Sequence, residues 1–573
     1  MLSKRSSPAL VSAAAASELP RAALLALLVI FILPRLFSTE LWTGRDLTSF
    51  GIAWSMIDGL KDSWLFPNVD GAPAYTIGPL TAWIGALSMA TIGKITGPII
   101  AFHLTSGLWF AVLTASIWYA TYLLSRRDEA QPLAFIFGGE AARKDYGRVV
   151  ADLATLMLVA TYGTVLDVHE VTPETTLLAL SGLLLFGVVL GLEKFIRGSV
   201  VAGVACGLAF TTASLSAGIW FTLAAWCAIF FTPDYTSRSK RAAITLSTAA
   251  VTAAVWPALA FITAPAEAAR WFSELFAAEI RAFSPFTFSD YLWLIKNIAW
   301  ATLPSWPFAA FALYSWRKNR RSAHIAAPLA VMAVALCSIL FTGIGARSTL
   351  FCAIPSLVVL AAFGLASAKR SKENILDLFS GIIFTLGLLV IWVYFFAWYT
   401  GTPTKMAYSI TRLAPAVAPH INAFGFTAAA AATVFWGWLA YWRFFKHPIY
   451  LWRGAWMAAC GLTAAWITVM GLFGSLVDGA RSMEYTENVF SSALQKIESE
   501  NGCVSGDRLT LSDRAAFNYY SHIRFSEPGS KQCKYELVKV DAKYALTENN
   551  EKVLASIHGR PRSSTIYLLQ VRE

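Results

Sequence analysis

The sequence is short of charge. Of its 573 residues, 14% are Asp, Glu, Lys or Arg and 56% are hydrophobic, whereas soluble domains carry roughly 25% charged residues. That balance excludes an ordinary soluble enzyme. Several local signatures are also missing: there is no Walker A loop, no Gly-x-Ser-x-Gly, no His-Glu-x-x-His and no Cys-x-x-Cys. Nothing therefore points to a P-loop nucleotide site, a nucleophile elbow, a zincin or a paired-thiol centre. The apolar segments show no inverted repeat of broken helices, which weakens a secondary-transporter reading. Cysteine is sparse, and five of the seven lie in apolar runs, where a small, buried, weakly polar side chain is the ordinary role.

What is present is a series of apolar runs, many reaching the roughly 20 residues that span a bilayer. The chain reads as an all-α polytopic membrane protein. Its formal charge of +11 sits in short basic tracts between those runs, as the positive-inside rule expects, and is not a nucleic-acid signal. Lys4 and Arg5 place the N-terminus in the cytoplasm. The first span is 21–37, and the loop 38–98 follows it outside. Within that loop 79–95 is apolar, but counting it as a span would put Arg126, Arg127, Arg143, Lys144 and Arg148 outside, so it is read as a helix lying in the interface. Further spans are expected at 99–124, 149–166, 173–192, 242–263, 291–315, 325–343, 348–367, 377–400, 423–445 and 453–474. The stretch 200–232 is read as a pair of short helices broken near Thr212–Ser216. The total is about 13 spans, and it sends the C-terminus outside.

The chain thus divides into a transmembrane part, 1–474, and a polar region, 475–573. The latter reads as a small α/β domain, with a helix at 484–500 and strands at 508–511, 535–540 and 565–571. Outside the cytoplasm, Cys503 and Cys533 are expected to form a disulfide.

The outward-facing polar residues carry the chemistry. The stretch Thr43–Met89 opens with Arg45-Asp46, a few residues past the first span; the two could simply pair with each other. The turn between the third and fourth spans, LDVHEVTPETT, holds Asp167, His169, Glu170 and Glu174. Thr172 suits the cap and Pro173 the first turn of the fourth span, and Glu174 there equally suits the helix dipole. A third outer segment holds Glu274, Glu279, Arg281 and Asp290, and a tight turn adds Arg347. Carboxylates so placed can act as general base or hold a divalent metal, for which Asp46, His169 and Glu170 are the candidate ligands. Arginines suit phosphate, because the guanidinium fork matches its oxygens; Arg45, Arg281 and Arg347 are the candidates. Charged residues this close to a bilayer are functional candidates by default.

In order along the chain, these segments resemble the GT-C class of membrane glycosyltransferases that use polyprenyl-phosphate sugars, above all the lipid A aminoarabinose transferases and protein O-mannosyltransferases. The matching pieces are Asp46 in the first outer loop, Phe50-Gly51-Ile52-Ala53 running to Gly59, Gly71-Ala72-Pro73, Pro79-Leu80-Thr81-Ala82-Trp83, an acid at Glu170 or Glu174, Gly207-Leu208-Ala209-Phe210, Leu303-Pro304-Ser305-Trp306-Pro307, and Arg347 with Ile354-Pro355. There are departures. Leu47 stands where the family has a second acid, Ile77 and Gly78 where it has Lys and Pro, and Ala213 or Ser214 near another Lys. These imply altered sugar or phosphate contacts.

The resemblance implies a GT-C fold in the bacterial inner membrane, with the C-terminal domain periplasmic. It implies inverting transfer of a sugar from a polyprenyl phosphate to a lipid A or core, glycan or protein acceptor. Asp46 would be the general base, Glu170 a supporting acid with Glu174 in reserve, and Arg281 and Arg347 the stabilisers of the leaving phosphate. No cofactor is required beyond a possible divalent metal. The alternatives are a flippase for lipid-linked sugars and a non-catalytic relative that binds lipid or a partner.

Overall fold

A computed structural model of the chain describes residues 7–59, 62–282, 287–342, 350–368, 370–446, 449–500, 502–529, 533–541, 553–559 and 565–571; the side chains of Arg45, Ala282, Thr342 and residues 370–373 also fall outside the description. Among the described residues, eight helices are long and apolar enough to cross a membrane: Pro98–Ser125, Pro173–Glu193, Phe195–Thr212, Arg238–Thr263, Ala323–Phe341, Asn374–Thr400, Ala423–Lys446 and Arg453–Arg481. The other segments read as spans form helices that are shorter or more polar at one end. They include Arg21–Leu36, Arg143–Ala160, Leu215–Phe231 and Ile354–Ala366. The apolar stretch at 79–95 forms the 12-residue helix Leu80–Thr91. At 1.5 Å per residue it is about 18 Å long, well short of a hydrocarbon core of roughly 30 Å.

The chain forms two compact units. The first comprises Met1–Pro34, Ser106–Leu388 and Ala428–Thr468. The pair of helices expected within 200–232 is present, as Phe195–Thr212 and Leu215–Phe231, broken at Ala213-Ser214. Small residues let the first of the pair pack closely on Arg238–Thr263: a Cβ on Gly203 would stand 2.6 Å from the Thr245 carbonyl oxygen, and one on Gly207 2.5 Å from Thr252 Cβ. Such Gly-x-x-x-Gly spacing brings backbones together where lipid offers no hydrophobic drive for association.

The expected span 291–315 is instead two helices, Phe288–Ala301 and Ser305–Ser315. Pro304 supplies no amide and disfavours helix at the residue before it. The carbonyls freed by the break are satisfied from the 157–163 segment: Gly163 N–H donates to Ala301 (2.7 Å) and Tyr162 N–H to Leu303 (2.9 Å). The Thr161 and Ser305 hydroxyls lie 2.7 Å apart. Elsewhere in this unit Asp377, 1% exposed, pairs with Arg443 and stands 3.6 Å from Arg453, both arginines being buried.

The second unit comprises Arg35–Thr105, Leu389–Thr427 and Val469–Glu573. Its helix Arg45–Ile57 is followed by a two-strand hairpin, Asn68–Val69 with Ala72–Pro73. The C-terminal segment carries a four-stranded sheet in the order Val504–Ser505, Tyr535–Asp541, Thr565–Val571, Val553–His558. The first pair is parallel and the other two antiparallel.

Two local expectations are corrected. The helix expected over 484–500 is a 3-10 turn, Glu484–Thr486, and a shorter helix, Ser491–Ser499. Asn488 between them adopts φ +60°, a left-handed conformation that Asn tolerates and a helix does not. The strand expected at 508–511 is absent, because Thr510 caps a helix, Leu511–Tyr520, by accepting from the Asp513 amide at 3.2 Å. Thr-Leu-Ser-Asp is a helix start, and that signal outweighs the β-like run before it.

Cys503 and Cys533 are joined by a disulfide, with Cα atoms 5.0 Å apart and a sequence separation of 30. It lies beside the registered pairs Val504–Tyr535 and Ser505–Glu536, so it fastens the edge strand to the sheet. Closing a loop of that length removes about 3–4 kcal/mol of unfolded-state entropy. Cys503→Ser should therefore destabilise the sheet by about that amount, seen as faster amide exchange across Tyr535–Asp541 and Thr565–Val571.

Candidate active site

Asp46 lies in the first turn of the Arg45–Ile57 helix. Gly44, which precedes the helix, adopts φ +103°, a conformation available to glycine because it has no Cβ. A carboxylate in the first turn suits the positive end of the helix dipole. Asp46 Oδ2 lies 2.9 Å from Arg35 Nη2 and 3.4 Å from His103 Nε2. All three side chains are almost fully buried, at 2%, 0% and 0% exposure. Charge taken out of water persists only where it is paired and hydrogen-bonded.

The partners of Asp46 are themselves fixed. The Arg35 guanidinium lies 3.7 Å over the Trp42 ring and uses Nη1 to donate to Ser38 Oγ (2.9 Å) and the Glu40 carbonyl (3.0 Å). His103 Nδ1 lies 3.0 Å from the Ser38 carbonyl oxygen. Trp42 Nε1–H donates to Asp478 Oδ1 at 2.9 Å. The carboxylate is thus aimed by a shell whose members have few alternative rotamers.

The second group lies in the first unit, on the turn before Pro173–Glu193. Thr172 caps that helix, its hydroxyl accepting from the Thr175 amide at 3.2 Å, with Pro173 in the first turn. Asp167, His169 and Glu170 are all buried. Thr175 Oγ1 donates to the Glu170 carbonyl at 2.8 Å, which ties the turn to the helix. His169 packs edge-on against Phe31 (5.0 Å) and beside Trp466 (5.0 Å). Both of its ring nitrogens are engaged within the protein: Nδ1 on the Val165 carbonyl, and Nε2 near the Phe31 carbonyl (2.7 Å) and the Trp466 indole (3.1 Å). Neither is left open for a metal ion. Among the described residues, no three His, Cys, Asp or Glu side chains gather into a metal-ligand set.

Of the basic candidates, Arg281 is exposed and lies 3.5 Å from Glu274. Glu279 accepts from the Ser216 amide (3.1 Å to Oε2), near the start of the Leu215–Phe231 helix. Arg347 and the Arg45 side chain lie outside the described residues.

No protein-family model matches the chain, and no curated protein matches it in sequence. Its architecture is similar to a crystal structure of ArnT from Cupriavidus metallidurans bound to undecaprenyl phosphate. The TM-score is 0.66 at 13% identity, over 96% of this chain and 98% of that one. The apo form of the same protein gives a TM-score of 0.66, 13% identity and coverage of 96% and 97%. The Archaeoglobus fulgidus oligosaccharyltransferase AglB aligns over 63% of this chain and 51% of its own, with a TM-score of 0.37 and 13% identity. The fold is that of the GT-C class.

Within each unit, the expected site residues fall into local groups. Asp46 is found with Arg35 and His103, while Asp167, His169, Glu170 and Glu174 share one turn and helix start. Sequence reasoning passed over Arg35, His103, Trp42 and Asp478. Arg35 and His103 fall at the ends of apolar runs read as spans, where each looks like a helix terminus. A cation after Pro34, inside the apolar run that ends near Phe37, was the available signal.

Arg35→Ala should leave Asp46 without its guanidinium partner. The expected cost is about 3–5 kcal/mol, that of breaking a buried ion pair from one side. A lowered melting temperature in detergent would register it, with Arg35→Lys losing less than Arg35→Ala.

Proposed function

We propose that the chain is an inverting glycosyltransferase that moves a sugar from a polyprenyl-phosphate donor to a lipid A or core, glycan or protein acceptor. The reaction takes place on the periplasmic face of the bacterial inner membrane. The observation that supports this best is the likeness along nearly the whole chain to ArnT, in a structure bound to undecaprenyl phosphate. The buried, hydrogen-bonded Asp46 carboxylate at the head of an outer-loop helix supplies a group suited to the chemistry.

The acceptor hydroxyl oxygen attacks the anomeric carbon from the side opposite the phosphate. The carbon–oxygen bond to phosphate breaks, and the polyprenyl phosphate leaves with the electron pair. The hydroxyl proton passes to the Asp46 carboxylate as the new bond forms. Glu170 orients the acceptor, with Glu174 as the alternative. Negative charge grows on the departing phosphate, and Arg45, Arg281 and Arg347 are the cations assigned to meet it. No step runs through a metal ion. Residues 1–474 form the catalytic membrane domain, with a cytoplasmic N-terminus, and 475–573 a periplasmic domain.

Two measurements test this reading. Asp46→Asn keeps the shape of the side chain and removes the base; transfer from an undecaprenyl-phosphate sugar by the purified protein should fall by about 10²–10⁴-fold. Mass spectrometry of envelope glycans should show the same sugar missing and its donor accumulating. Full activity of Asp46→Asn would overturn the base assignment. Unchanged glycans in cells lacking the protein would favour a non-catalytic role, and donor trapped on the inner leaflet a flippase. Arg281→Ala and Arg347→Ala should each raise the KM for donor while leaving that for acceptor unchanged, in steady-state assays varying one substrate at a time.

A further inference from the structure

The five residues running from Glu40 to Gly44, just ahead of Asp46, are each gripped by the C-terminal part of the chain. Glu40 Oε2 accepts from Ser482 Oγ (2.5 Å). Leu41 N–H donates to the Tyr520 hydroxyl (3.4 Å). The Trp42 indole N–H donates to Asp478 (2.9 Å), and its ring meets the Arg481 guanidinium at 4.9 Å. Thr43 N–H donates to the Arg481 carbonyl (2.8 Å) and Gly44 N–H to Ser512 Oγ (2.9 Å). The run is unbroken, and it ends two residues before Asp46.

The helix that follows is held by the same partner. Phe50 and Trp54 meet the Tyr519 ring edge-on, at 4.9 and 5.1 Å. A Cβ on Gly51 would stand 2.5 Å from Ala515 Cβ, so glycine permits the close approach of Arg45–Ile57 to Leu511–Tyr520. Stabilising the C-terminal domain would not require the contacts to fall on every residue leading up to one carboxylate.

We propose that the C-terminal domain positions Asp46 for catalysis, by clamping the strap Glu40–Gly44 and with it the start of the Arg45–Ile57 helix. Ser512 and Tyr520 are then positioning residues. This inference rests on the glycosyltransferase reading. The physical demand is tight, since a reacting group misplaced by about 1 Å can lose about 10²-fold in rate. The single residue between Gly44 and Asp46 leaves little slack to absorb a loosened strap.

The strap also carries a pH-sensitive contact. The Glu40 carboxyl faces Glu484, Asp478, Tyr519 and Tyr520, while Arg35 donates only to its backbone carbonyl. Burial, followed by its hydrogen bond with Glu484, pushes the Glu40 carboxyl up to about 8, from an ordinary 4.5. A raised carboxyl binds its proton more tightly in the folded strap than in the released one. The strap is therefore firmest at low pH, and its hold declines as pH rises from about 4.5 to about 8. Above that, Glu40 and Glu484 repel.

The test compares Ser512→Ala, Ser512→Thr, Tyr520→Phe and Glu40→Gln in the full-length protein, by amide exchange and by turnover with an undecaprenyl-phosphate sugar. Ser512→Ala should speed exchange over 41–48 and lower kcat several-fold, with the KM for donor unchanged. Ser512→Thr, which keeps the hydroxyl, should restore both. Tyr520→Phe should lower kcat in the same way and gives an independent reading should Ser512→Ala fail to fold. In the wild type kcat should fall as pH passes 8, and Glu40→Gln should flatten that limb. Faster exchange with unchanged kcat, or an equal loss in Ser512→Thr, would overturn the inference while leaving the glycosyltransferase reading intact. Absence of transfer by the wild-type protein would overturn both.

Discussion

A carboxylate taken out of water needs a cation and hydrogen-bond donors in fixed places, and the geometry around Asp46 follows from that need. Arg35 supplies the charge, and Trp42 supplies a face on which the guanidinium can lie 3.7 Å away without water. Once Trp42 is committed to Arg35, its indole N–H must also be satisfied, and Asp478 does so. That aspartate belongs to the helix Arg453–Arg481, which runs past the expected end of the last span at 474. The ion pair is thus linked, through Trp42, to the last turns of a helix far away in sequence. His103 closes the other side, itself held by the Ser38 carbonyl.

Buried charge is handled in the same way elsewhere. Asp377 answers two buried arginines, Arg443 and Arg453, and Asn374 Oδ1 accepts from both. In the C-terminal domain Asp513, mostly buried, accepts from Lys539 Nζ (2.9 Å) and the Tyr567 hydroxyl (2.6 Å). Asp70 accepts from the Phe525 amide at 2.7 Å, yet burial still holds its carboxyl above the usual aspartate range. Such pairs often add little net stability compared with apolar packing, but losing one partner is costly. They act as constraints on which segments can lie together, and each here joins segments distant in sequence.

This explains which parts were legible beforehand. The long apolar helices, the break at Ala213-Ser214 and the cap at Thr172 are written locally, in runs and in cap residues, and composition suffices to find them. Thr510 was locally legible too, as a cap residue, but it falls within the run 508–511 that was read as a strand. The split at Pro304 was also locally signalled; what was invisible was that Tyr162 and Gly163 would satisfy the freed carbonyls. Glu170 was expected in an open outer turn and is 8% exposed, because burial depends on packing partners that a single segment does not name. Asp46 was singled out because an acid stands out after an apolar run. Its partners Arg35 and His103 were not, because a lone polar residue at the edge of such a run looks like a helix end.

The C-terminal segment follows the same logic. Its sheet is fastened by a disulfide, and its helix Leu511–Tyr520 presents Ser512 and Tyr520 to the backbone amides of Gly44 and Leu41. Those amides lie ahead of the first intrahelical bonds of Arg45–Ile57, so no turn of helix satisfies them. The Leu41 amide is buried, and left without an acceptor it would cost about 1–3 kcal/mol, which favours keeping this stretch against Tyr520. The carboxylate that begins this helix is therefore placed from both ends of the sequence. Arg35, at the end of the first helix, holds it by charge, and residues 478–520 hold the backbone that carries it.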